Sequence, residues 1–401
     1  EFNQSLENVH LPSSLQMLNF GSSFNTSLDD TRLPASLQTL AFGATFNQSL
    51  DCAALPHGLH TLTFGHQFNQ SIAAVTLPTQ LQVLTFGSTF NQSLEDVTLP
   101  PNLGTLTLGR DFNQSLDGIT RLGSLQTLAF GDDTQRLVNV NLPSSMKTLV
   151  VGSSFDETLC GLSLPDGLQM LEFGQQFNQN LAGVIWNSGL RMLILGGGFN
   201  QSLEGVSLPS SLHTLRFGRA FNQSLHGVTF PSSLNTLQFA DEFNQSLAGV
   251  NLPPDLRTLV FGCDFDEPLD AVSLPGGLCT LTFGDEFNQS LDGVTWPGTL
   301  RTLTFGERFN QNLRDVSWPD SIERLTFGSD FNQSLDGTRL PSALQALALG
   351  ADFNQSLARV SLPLGLRALT FGSYYKQSLE DVSLPNSLEQ LTLPPVSLSC
   401  A

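Results

Sequence analysis

Apolar residues recur along the chain at fixed places in a period of 22 residues. Phe2, Phe24, Phe46, Phe68, Phe90 and Phe112 mark successive periods. Thr134 takes the next place, and the interval then shortens to 21 residues before Phe155. From Phe155 the 22-residue step resumes through Phe177, Phe199 and onward to Tyr375. About 18 repeats therefore fill the chain, with no linker and no change of composition between them. The sequence reads as a single solenoid domain, 1–401, with an irregular repeat near 121–141.

One unit, Phe90–Asp111, reads FNQSLEDVTLPPNLGTLTLGRD. Its apolar places are Phe90, Leu94, Val97, Leu99, Leu103, Leu106 and Leu108. The Leu-x-x-Leu-x-Leu run at 103–108, like LQTLAF at 37–42, predicts a short strand buried on one side and ended by a Gly turn. Gly43, Gly65 and Gly109 hold that turn, where a positive φ is expected. Val97 and Leu99 flank Thr98, which predicts a second, shorter strand stopped by Pro100. Helix is disfavoured by the density of Gly, Pro, Ser and Thr. One unit cannot bury its own apolar edge, so like units must stack, each place becoming a column. The predicted fold is all-β: a parallel β-solenoid of about 18 repeats of 22 residues.

The stretch LPSSLHTLRFGRAFNQSL at 208–225 resembles the FNIP repeat, also called IP22, of a leucine-rich-repeat-like family. That family usually has Pro or Ile after FNQ. Here Ser stands there, as at Ser93, while Pro268 in FDEPL keeps the Pro form. The resemblance covers nearly the whole chain. It implies a leucine-rich-repeat-like solenoid and no catalytic activity. The expected function is a non-catalytic repeat scaffold for protein–protein interaction. The alternative is a structural subunit of a larger assembly, at a surface or outside the cell.

Charge narrows the partners. The 401 residues carry a formal net charge of −19, which argues against nucleic acid and anionic membrane surfaces. No apolar run approaches the roughly 18 residues of a membrane span. Lys occurs only at Lys147 and Lys376, so the cations are nearly all Arg. Cys52, Cys160, Cys263, Cys279 and Cys400 show no paired spacing and read as free thiols, with a bond between Cys263 and Cys279 left open. The chain begins in mid-pattern without a start Met, as a processed product or a fragment would.

The Asn of FNQSL is expected to form an inward-facing ladder through Asn47, Asn69, Asn91, Asn113, Asn200 and Asn222, bonded to the backbone at each corner. Asp156 and Asp266 take the same place and should weaken the ladder, having lost the donor. NQS is also a glycosylation sequon, repeated roughly a dozen times. Glycans on coils about 4.8 Å apart would collide. With an inward Asn, this leans towards an unglycosylated, intracellular setting, though the compartment stays open.

Sequence motifs for catalysis are lacking: no G-x-x-x-x-G-K-[ST], G-x-S-x-G or H-E-x-x-H appears. The chain is read as no enzyme, without cofactor or metal. His57, His60 and His66 fall in three different places of the repeat, so they are expected to face solvent rather than converge. Asp264, Asp285, Glu307, Asp330 and Asp352 would stack as an acidic rim, with a calcium ridge as the sharper alternative. Arg191, Arg257, Arg301 and Arg367 share one outward strand column, with Arg216 and Arg324 nearby. These six are the candidate interaction surface, towards either neighbouring acids or an acidic or phosphate-bearing partner. The irregular stretch 121–141 is a second place where a partner could bind, and Trp186, Phe230, Trp296 and Trp318 share one column.

Overall fold

A computed structural model describes residues 2–131, 137 and 140–394. They fall in two compact units, 1–197 and 198–401. In the first, nine strands follow one another: β1 (Met17–Asn19), β2 (Thr39–Ala41), β3 (Thr61–Thr63), β4 (Val83–Thr85), β5 (Thr105–Leu108), β6 (Thr127–Phe130), β7 (Thr148–Val150), β8 (Met170–Glu172) and β9 (Met192–Ile194). In the second come β10 (Thr214–Arg216), β11 (Thr236–Gln238), β12 (Thr258–Val260), β13 (Thr280–Thr282), β14 (Thr302–Thr304), β15 (Arg324–Thr326), β16 (Ala346–Ala348), β17 (Ala368–Thr370) and β18 (Gln390–Thr392). Within each unit every strand pairs in parallel with the next, equivalent residues opposite one another, as Thr61 with Val83 or Leu259 with Leu281. Both units are parallel β-solenoids with one strand per repeat. Among the described residues the one helical turn is a 3₁₀ turn at Asp117–Ile119, and no helix is long and apolar enough to cross a membrane.

Each coil closes through turns that its sequence dictates. In the coil from Phe90, Val97 N–H bonds to the Leu94 carbonyl at 3.3 Å and Leu103 N–H to Pro100 at 3.1 Å. Phe90 N–H bonds to Gly87 at 3.3 Å. The second strand expected at Val97–Leu99 is not formed. Leu99 N–H turns back to the Val97 carbonyl at 3.0 Å, so the segment spends its bonds locally rather than on a ladder. The alternation there reflects a bend with Val97 buried and Leu99 half-buried.

The core is the set of columns. Phe90, Leu94, Leu103, Leu106 and Leu108 are fully shielded from water. Phe rings fill the corner after most strands. Phe42 lies 3.9 Å from Phe46 and 5.6 Å from Phe64, and Phe46 lies 6.1 Å from Phe68. The turn glycines have a different reason from the one expected. Positive φ occurs at Gly161, Gly183, Gly205, Gly227, Gly249, Gly293 and Gly337, in the place before Val or its equivalent, and not at Gly43, Gly65 or Gly109. Those three are Gly because coils touch there. A Cβ on Gly65 would stand 1.9 Å from the Gly43 carbonyl oxygen.

Candidate functional site

The polar side chains of FNQSL bond between and within coils. Asn47 Oδ1 accepts the N–H of Asn69 at 2.9 Å and the Gln70 side chain at 3.1 Å. Asn69 does the same for Asn91 and Gln92, and Asn91 for Asn113 and Gln114. In the second unit Asn200 accepts from Asn222, and Asn222 from Asn244. Ser93 Oγ accepts the N–H of Glu95 at 3.2 Å and holds the turn. Sequence reasoning missed the Gln and Ser roles. The signal was present: Gln follows Asn by one residue, within reach of the same acceptor one coil back.

The position of the ladder corrects the expectation. Asn69 and Asn113 are exposed, and Asn47, Asn91, Asn200 and Asn222 half-buried, so these side chains run along the surface rather than inward. Only Oδ1 is used in these bonds, and a carboxylate supplies that as well. Asp156 Oδ1 accepts from Asn178 N–H at 2.8 Å, and Asp266 Oδ1 from Asn288 N–H at 2.8 Å. Asp therefore does not weaken the ladder. The premise of an inward Asn behind the unglycosylated reading falls with this.

The six arginines are all exposed but differ in company. Arg301 pairs with Glu323 one coil on, and Arg367 with Glu389 at 3.3 Å. Arg191, in the first unit, and Arg216, Arg257 and Arg324, in the second, have no carboxylate partner among the described residues. The strand face of the second unit is rich in Thr, as Thr236, Thr258, Thr280 and Thr302, whereas Met170, Met192 and Ile194 lie around Arg191. Asp264, Asp285, Glu307, Asp330 and Asp352 are exposed. Beside them Arg308 reaches Glu286 at 2.6 Å, and Arg219 lies 3.7 Å from Asp241. No group of three or more potential metal ligands converges among the described residues, the three histidines included.

Cys52, Cys160, Cys263 and Cys279 are free thiols; Cys400 and Thr134 lie outside the described residues. Burial, then the nearby Asp241 and Asp285, push the Cys263 thiol up, which disfavours the nucleophilic thiolate. Burial likewise raises the Tyr375 phenol. Trp296 and Trp318 stack 5.7 Å apart, half-buried.

Among the clefts of the first unit, one of about 570 Å³ lies over Val83, Thr105 and Thr127, and two lie at the turns. The larger, about 790 Å³, runs between residues 95–101 and 117–124. Arg121 stands there where the previous coil has Leu99, and Leu122 where it has Pro100. Glu95, Asp117 and Arg121 line it. The smaller, about 350 Å³, is lined by Leu162, Leu164, Asp166, Ile185, Trp186 and Asn187, among others.

Comparison with known proteins agrees with this architecture. The FNIP Repeat family matches in successive windows from residues 2–45 to 353–394, which together tile the chain. Among solved structures, the circular leucine-rich-repeat protein CroV588 is similar at 36% sequence identity, covering 96% of this chain and 67% of that one, with a TM-score of 0.67. YopM from Yersinia enterocolitica WA-314 is similar at 17% identity over 94% of this chain and 87% of its own, with a TM-score of 0.45. Among curated proteins no match is found. With its repeat matched from end to end, its strands in 22-residue register and its motif residues bonded coil to coil, the chain belongs to the FNIP repeat family.

Proposed function

We propose that the chain is a non-catalytic repeat scaffold that binds a protein partner through the outward face of its strands. The observation that carries this is the division of labour among polar groups. The Asn oxygen and the Gln amide of the motif bond from coil to coil, and its Ser holds the turn within its own coil. On the strand face of the second unit, Arg216, Arg257 and Arg324 stand exposed without carboxylate partners, in a chain of net charge −19. Unpaired guanidinium groups on a Thr-rich strand face suit carboxylates of an acidic partner. A leucine-rich-repeat-like fold is typical of interaction modules and supplies such a surface.

The test reverses charge on that face. Arg216, Arg257 and Arg324 are changed together to Glu, and proteins retained by the tagged chain from source material are quantified by mass spectrometry. The expected result is loss of an acidic partner from the variant, while Arg301→Glu, whose partner is Glu323, loses less. Retention of every partner by the triple variant overturns the strand-face reading.

A further inference from the structure

One column of the first unit has a vacant rung. The residue just before each strand bears a side chain in every coil but one: Gln82 precedes β4, Gly104 precedes β5 and Gln126 precedes β6. The backbone does not require glycine there. Gly104 N–H bonds to the Gln82 carbonyl at 2.9 Å, and its own carbonyl accepts Gln126 N–H at 2.8 Å, so the ladder passes through without a bulge. Gly104 is not among the positive-φ glycines. A Cβ on it would meet only the Gln82 carbonyl oxygen, at 3.8 Å, an ordinary contact. A glycine in a strand ladder that serves neither φ nor close coil packing often marks the approach of a ligand or another backbone.

The missing side chain opens the cleft of about 570 Å³. Gln82 and Gln126 border it one coil to either side, with Gln80 and Asn102 beside them and Thr105 and Thr127 on the strands. No charged residue lines it. Asn102 Nδ2 is engaged with the Thr79 carbonyl at 3.0 Å. Gln80, Gln82 and Gln126 are exposed, and their amides bond to nothing among the described residues. A partner can therefore reach them. Coils stack about 4.8 Å apart, so Gln82 and Gln126 are rooted about 9.6 Å apart, and a group entering over Gly104 lies about 4.8 Å from each. That is the repeat of stacked Asn and Gln ladders, in which each primary amide accepts on one side and donates on the other.

We infer that this notch takes a primary-amide side chain, Asn or Gln, of a protein partner. Its oxygen accepts from the Gln amide on one side and its NH2 donates to the Gln carbonyl on the other, which completes the column. A carboxylate fits worse. It has no donor for the carbonyl, and the cleft offers no cation to replace its hydration. An apolar side chain would cover both Gln amides and leave them unpaired. The inference rests on the scaffold reading, because the amide belongs to a protein partner, but it uses none of the arginines.

The test fills the rung from within. Gly104→Gln supplies the missing amide, and Gln82 and Gln126 show that the fold carries Gln in this place. Random linear peptides displayed on phage are selected on the full chain and then compared on both proteins. The expected peptides share an Asn or Gln and bind the parent at least about tenfold more tightly than the variant. Replacing that one peptide residue by Leu, or by the matching acid, should weaken binding to the parent as much. The peptides should also move the side-chain NH2 resonances of Gln82 and Gln126, identified by their loss in Gln82→Leu and Gln126→Leu. Equal binding to both proteins, no enriched peptide, enrichment without an amide, or unmoved resonances overturn the notch. Partners kept by Gly104→Gln yet lost from the Arg-to-Glu variant overturn the notch alone and leave the scaffold reading standing. Peptides lost from Gly104→Gln, in a chain whose Arg-to-Glu variant keeps every partner, uphold the notch and overturn the role of the arginines.

Discussion

From Phe217 to Phe331 each corner holds two Phe rings 3.8 to 4.0 Å apart, as Phe217–Phe221, Phe261–Phe265 and Phe327–Phe331. Between Leu108 and Phe155 no such ring pair occurs among the described residues. Leu108 and Val151 stand where most coils have Phe, as Leu195 and Leu349 also do, and one residue is missing from the period. Yet the strands are undisturbed. Thr127 still faces Thr105 on one side and Thr148 on the other. The sheet is even longer there: β5 and β6 have four residues each and gain the pair Leu108–Phe130. Register therefore resides in the Leu-x-x-Leu strands and their backbone ladder, while the aromatic corners add stability and can be thinned. The deletion falls between Phe130 and Thr148, outside the strands.

The largest expected effect tests that separation. Phe261 packs against Phe265 at 3.8 Å, Phe239 at 5.7 Å and Phe283 at 5.6 Å. Phe261→Ala should cost about 3–5 kcal/mol, as for truncated core aromatics. Phe130 is buried but stacks on no ring, so Phe130→Ala should cost about 1 kcal/mol less, the worth of the missing aromatic pairs. Hydrogen exchange coil by coil is the measurement, because contacts run between neighbours and loss should be local. Equal losses at both sites would show that the Phe columns add nothing beyond area.

A smaller difference is expected at two glycines. A Cβ on Gly306 would meet the Gly284 carbonyl oxygen at 2.0 Å, whereas one on Gly123, beside the larger cleft, meets nothing within 4 Å. Ala240 occupies the same place as Gly306 in its own coil, so one methyl can be absorbed by a backbone shift. Gly306→Val should cost about 1–3 kcal/mol by overpacking, and Gly123→Val stay within about 0.5 kcal/mol. Thermal melts of the two variants separate them. A harmless Gly306→Val would mean that coil spacing is softer than this contact requires.

The sequence carried the fold because period and apolar pattern are one-dimensional facts: Leu103, Leu106 and Phe90 had to stack once the unit repeated. Contacts between backbones were less legible. Gly43 and Gly65 looked like positive-φ turns, since a sequence does not distinguish a Gly needed for φ from one needed for closeness. Val97-Thr98-Leu99 looked like a strand because alternation also arises at a bend. The Arg column could be placed, but its pairing could not: Arg301 has Glu323 one period on, while Arg257 has Cys279 there.

The smallest expected effect concerns one motif residue in both settings. Asn288 Oδ1 accepts Asn310 N–H at 2.9 Å and the Gln311 side chain at 2.9 Å. Asn113, in the last FNQSL before the irregular coil, donates its own N–H to Asn91, but its Oδ1 receives no donor among the described residues. The next residue of that column is Gln135, outside the described residues. Asn288→Ala should therefore cost about 0.5–1.5 kcal/mol, the net worth of a hydrogen bond, and leave the Asn310 amide faster to exchange. Asn91→Ala should cost as much, because Asn91 Oδ1 holds Asn113 and Gln114 beside the irregular coil. Asn288→Asp should match the parent, since Asp156 and Asp266 already hold the next coil with the same oxygen. If Asn91→Ala proves cheaper than Asn288→Ala, the ladder weakens towards the irregular coil, and the contrast between the two regions is not confined to their aromatic corners.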